Sequence, residues 1–66
     1  MRKPIVSGVE RGESSSNYHE IAWAKDGDLN AAYRRGHFRR FRFKRNALKF
    51  AKRKAKELGV SFDGWH

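Results

Sequence analysis

The chain has 66 residues, no cysteine and a formal net charge of +9, from 16 Lys/Arg against 7 Asp/Glu. That length allows one small domain, which buries only about 60% of its unfolded surface, and without cysteine neither a disulfide nor a thiolate metal site can support it. No run approaches the ~20 apolar residues of a membrane span, and no apolar signal segment follows Arg2-Lys3, so a cytoplasmic protein is expected.

Residues 1–17 are rich in Ser and Gly, and no apolar period continues past Val9. They are expected to be a flexible, disordered N-terminal arm ahead of a single domain over 18–66. Ile5, Val6 and Val9 leave open a short strand that pairs at a sheet edge. Tyr18–Lys25 has strand alternation, with His19, Ile21 and Trp23 on one face and Tyr18, Glu20, Ala22 and Ala24 on the other. Asp26-Gly27 is a dipeptide that favours a tight hairpin turn. Asp28–Arg35 has two readings. As a strand it sets Leu29, Ala31 and Tyr33 on one face; as a short helix it takes Asp28 as N-cap and Gly36 as the closing glycine. The turn dipeptide and the segment's brevity favour the strand, with Arg35-Gly36 as the next turn.

His37–Lys44 alternates rings and cations, as a strand would. Phe41 and Phe43 fall with Arg39 on one face, and Arg40, Arg42 and Lys44 on the other. Phe38 is out of phase, and a bulge at Arg39-Arg40 would correct it. Asn46–Leu58 has helical periodicity with Asn46 as a potential cap. Ala47, Leu48, Phe50, Ala51, Ala55 and Leu58 occupy an arc of about 160°, opposite Arg45, Lys49, Lys52, Arg53 and Lys56. Gly59 stands where a left-handed C-cap residue belongs, with Val60 packing back on Ala55. Phe62 and Trp65 in the tail are expected to close the edge of the core.

The expected fold is therefore α+β: a three-stranded antiparallel sheet packed on one C-terminal amphipathic helix, β-β-β-α. Its core would be Ile21, Trp23, Tyr33, Phe41, Phe43, Leu48, Ala51, Ala55 and Leu58. That order of elements over residues 18–58 is similar to several nucleic-acid-binding modules: the arm-binding N-terminal domains of phage integrases, the plant-type AP2 domain, and half of the double-stranded RNA-binding domain. The resemblance is one of architecture, carried by no signature residues, and it assigns no family.

Charge gives the functional expectation. Arg34–Lys56 holds 12 Lys/Arg in 23 positions and no Asp/Glu, while residues 1–33 hold 4 Lys/Arg against 5 Asp/Glu. Like charges concentrated in so small a fold repel, and a polyanionic partner explains why they persist. The expected function is nucleic-acid binding by phosphate contact, with base readout by strand arginines. The candidate residues are Arg39, Arg40, Arg42, Lys44, Arg45, Lys49, Lys52, Arg53 and Lys56. DNA and RNA are equally compatible, as are a monomer and a homodimer. Phe38 is the ring most expected to be exposed for base stacking. The alternative is a small inhibitor or adaptor of phage or plasmid type, docking on an acidic surface of a host protein, such as a nucleic-acid-handling enzyme. No catalysis, metal or cofactor is expected: His19, His37 and His66 stand at no metal-ligand spacing, and adjacent His19 and Glu20 would point to opposite faces of a strand.

Overall fold

Strand β2 (Ser16–Ala24) is the centre of the architecture. The computed structural model describes residues 3–13 and 16–65. β2 pairs antiparallel with β1 (Ile5–Glu13) on one side and β3 (Phe38–Phe41) on the other, giving the sheet order β1-β2-β3. Helix α2 (Lys44–Leu58) packs on one face of this sheet, so the expected three-stranded antiparallel sheet with a C-terminal helix is the fold. A short helix, α1 (Leu29–Arg34), is inserted between β2 and β3.

Strand membership differs from expectation. The segment read as a disordered arm supplies β1 through Ile5–Glu13, in the edge position that its β-branched residues left open. The reason lies at Gly8, whose register partner Ile21 is fully buried. A Cβ built on Gly8 would lie 2.7 Å from the Trp65 ring and 2.9 Å from that of Phe62. The inward position that carries no side chain is thus filled by two rings from the far end of the chain. The tail also pairs with β1: the Gly8 amide donates to the Gly64 carbonyl at 3.0 Å and the Asp63 amide to the Val6 carbonyl at 2.8 Å. These bonds occupy part of an edge that would otherwise be open to other strands.

Asp28–Arg35 takes the helical reading, not the strand. The Asp28 side chain accepts from the Ala31 amide at 3.1 Å, and the Asp26 carboxylate accepts from the Asp28 amide at 3.0 Å. At the far end Gly36 has φ 77°, the Gly36 amide donates to Tyr33, and the His37 amide donates to Ala32. Both ends are therefore capped, which stabilises a helix too short to persist alone. Asp26-Gly27 does lie in a turn, with the Gly27 amide donating to the Ala24 carbonyl at 3.3 Å, but the turn leads into α1 and does not close a hairpin.

β3 is shorter than the expected His37–Lys44, and it has no bulge. Its ladder runs without interruption from Ala22↔Phe38 through Ile21↔Arg39 and Glu20↔Arg40 to His19↔Phe41. Phe38 is out of phase because it belongs to the face away from α2, where it meets Tyr33 with ring centres 5.4 Å apart. That contact also removes Tyr33 from the expected core and leaves Phe38 half-buried, not exposed. Ala22 and Ala24 are buried on this same face, and α1 covers it with its own buried Ala32.

α2 begins at Lys44, with Phe43 in the N-cap position, so Asn46 lies within the first turn and does not cap it. Ala47, Ala51 and Ala55 recur every four residues and form a ridge of small side chains, which lets the helix approach Val6 and Ile21 closely. Trp23, Phe41, Phe50, Leu58, Val60, Phe62 and Trp65 close around this centre. Gly59 has φ 71°, and the Val60 amide donates to the Ala55 carbonyl, as the sequence predicts. Phe43 is not in the core: it is 61% exposed.

Candidate nucleic-acid interface

The strand and helix cations have different surroundings. Arg39 lies on the α2 face of β3, with its guanidinium 5.5 Å from the centre of the Phe41 ring and 5.7 Å from that of Phe50. It covers the edge of the core. Arg40 lies on the opposite face, where its Nε donates to Glu20 Oε2 at 3.1 Å and its guanidinium stands 5.0 Å from the centre of the Tyr18 ring. Glu20 is only 3% exposed, so a buried carboxylate ties this arginine to the sheet. The hydrogen bond to Glu20 raises the Arg40 pKa above its ordinary value, and the nearby Tyr18 adds to the effect.

Arg42 and Lys44 lie beyond the end of β3, so the expected outer-sheet patch of Arg40, Arg42 and Lys44 does not form as one strand face. Arg42 is exposed, with its guanidinium 5.9 Å from the centre of the Phe43 ring. Lys44 opens α2 and forms an ion pair with Glu10, its Nζ 3.0 Å from Glu10 Oε1 and 5.3 Å from the Trp65 ring centre.

Arg45, Lys49, Lys52, Arg53 and Lys56 are brought together. All five are exposed, and at the α-helical angle per residue they fall within an arc of about 100°. From Arg45 to Lys56 the stripe runs about 16 Å along α2. Among the described residues, no carboxylate forms an ion pair with any of the five. Glu57 reaches Lys54 at 3.3 Å, and Lys54 stands on the other side of the helix with its Nζ 4.7 Å from the Trp23 ring centre. The stripe stands outward because the alanine ridge fixes the opposite side of α2 against the sheet.

Phe43 stands exposed at the N-cap position of α2, close in the chain to the start of this stripe, a placement that the alternation of rings and cations concealed. The ladder stops at Phe41, and the chain turns into α2 two residues later. Beside Phe43 a cleft of about 430 Å³ is lined by Phe43, Lys44, Arg45 and Asn46.

The described residues contain no group of three or more His, Cys, Asp or Glu placed to hold a metal, and no helix among them is long and apolar enough to cross a membrane. His19 and Glu20 point to opposite sheet faces, as strand geometry requires, and His19 Nδ1 stands 3.8 Å from Glu10 Oε1. The molecule is defined as a small α+β protein with a cationic helix laid across a three-stranded sheet. It matches no protein-family model, no curated protein and no solved structure.

Proposed function

We propose that this protein binds nucleic acid through the exposed side of α2, with Arg45, Lys49, Lys52, Arg53 and Lys56 contacting backbone phosphates. The observation that supports this reading is the stripe of five outward cations, free of ion pairs to the described carboxylates. Three of the five are lysines, which act as point charges toward phosphate. Arg40, by contrast, has its hydrogen-bonding capacity partly committed to Glu20, so base readout from the strand is not part of the proposal. Contact of this kind tolerates sequence and weakens steeply with salt.

The test is a titration against duplex DNA, duplex RNA and a single strand at two or more salt concentrations. With five phosphates neutralised, the logarithm of affinity for duplex DNA falls against the logarithm of salt with a slope of about −4 to −5. Lys49→Glu/Lys52→Glu abolishes binding, while Lys25→Glu, an exposed position outside the stripe, leaves most of it. A salt-independent affinity, or full binding by the double reversal, refutes the reading.

A further inference from the structure

We infer that Phe43 and the cleft beside it form a stacking site for one unpaired nucleobase, at the Arg45 end of the α2 stripe. This deepens the reading of α2 as a phosphate-binding surface and rests on it. Phe43 is the one large hydrophobic residue among those described that stands exposed, at 61%, while the other Phe, Tyr and Trp side chains described are half-buried against neighbours. Its side chain does not join the core, and the Arg42 guanidinium stands 5.9 Å from its ring centre. Phe43 occupies the N-cap position of α2 and lines one cleft together with Arg45, the first residue of the cationic stripe.

The surroundings suit a nucleotide. The cleft of about 430 Å³ is open to solvent and is lined by Phe43, Lys44, Arg45 and Asn46. Arg42 stands next to the ring, and no ion pair among the described residues engages Arg42 or Arg45. A base stacked on Phe43 thus carries its phosphate toward Arg42 and Arg45, while the strand continues along Lys49, Lys52, Arg53 and Lys56. Stacking on an aromatic ring is open to any base, because each has a π-face, and it requires a base released from pairing. The site therefore selects an unpaired base by structure and not by sequence.

The experiment compares a blunt DNA duplex with the same duplex carrying a short overhang that contains 2-aminopurine, using wild type, Phe43→Ala and Phe43→Trp. Wild type prefers the overhang by roughly tenfold and changes the 2-aminopurine fluorescence on binding. Phe43→Ala removes the preference and the fluorescence change while keeping wild-type affinity for the blunt duplex; Phe43→Trp keeps both. Thermal melts of the variants verify folding, which the exposure of the side chain favours. If wild type does not distinguish the two duplexes, or Phe43→Ala still does, the stacking site is refuted while phosphate binding by α2 stands. If Lys49→Glu/Lys52→Glu binds both duplexes like wild type, the α2 reading and this inference fall together. A ring needed only for docking on a protein surface shows itself by leaving both duplex affinities unchanged in Phe43→Ala, which also overturns the stacking site.

Discussion

Glu20 and Arg40 face each other across the β2–β3 ladder, with Arg40 Nε donating to Glu20 Oε2 at 3.1 Å. One is almost wholly buried and the other is largely exposed, so the arginine brings its charge to the carboxylate from the solvent side. β3 has only four residues, and this pair ties it to the central strand through side chains as well as backbone.

Arg40→Ala withdraws a charged hydrogen-bond donor from a buried carboxylate and lowers the melting temperature more than Arg42→Ala does, because a bond to a charged group held out of water is lost. The Arg40 pKa is raised in the fold, chiefly by the hydrogen bond to Glu20. A base with a raised folded pKa contributes stability below its unfolded pKa and loses it as pH climbs through the folded value. Both values lie far above neutrality, so the arginine's own titration adds no difference between the melting-temperature losses at about pH 7 and about pH 9. Thermal denaturation of both variants measures the comparison.

Gly8→Ala drives a methyl group into the rings of Trp65 and Phe62. Overpacking of this kind destabilises by about 1–3 kcal/mol. The tail is displaced, and the fluorescence maximum of Trp65, measured in a Trp23→Phe background, shifts to the red. Trp65→Ala relieves part of the clash, so Gly8→Ala/Trp65→Ala is less unstable than the sum of its parts. Additive losses in a denaturant double-mutant cycle contradict this packing.

Asp28→Ala removes the N-cap of α1 and costs about 1 kcal/mol by urea denaturation. Gly36→Ala costs a similar amount for a different reason. A Cβ there meets nothing within 4 Å, so the loss comes wholly from the backbone at φ 77°. An unchanged stability in either variant rejects the capped-helix account of this connection.

Single lysines on α2 separate the proposed interface from the packed side of the same helix. Lys49→Ala lowers the salt slope of DNA binding by about 0.9. Lys54→Ala leaves the slope unchanged but lowers stability, since Lys54 lies over Trp23 and bonds Glu57. Equal slopes for both variants place the contacts elsewhere.

The sequence made α2 readable, because its period of Ala47, Ala51 and Ala55 opposite five cations fits only one local geometry. β2 was equally plain from Ile21 and Trp23 alternating with Glu20 and Ala22. β1 was obscured because its inward position 8 is completed by rings more than fifty residues away, a relationship that no local window contains. Asp26-Gly27-Asp28 carried both a turn signal and a helix start, and the Gly36 closure decided between them. In Phe38–Lys44 the alternation of rings and cations continues past the point where hydrogen bonding stops. Phe43 therefore read as core, and the stripe on α2 was legible while its aromatic end was not.

The bonds joining Val6 and Gly8 to Asp63 and Gly64 also make the margin of the sheet depend on residues far apart in the chain. Without residues 62–65 the groove over Gly8 is hollow, and β1 loses the two backbone bonds that guard its outer side. Loss of this one short segment thus turns a closed margin into an open one, available for pairing with other strands.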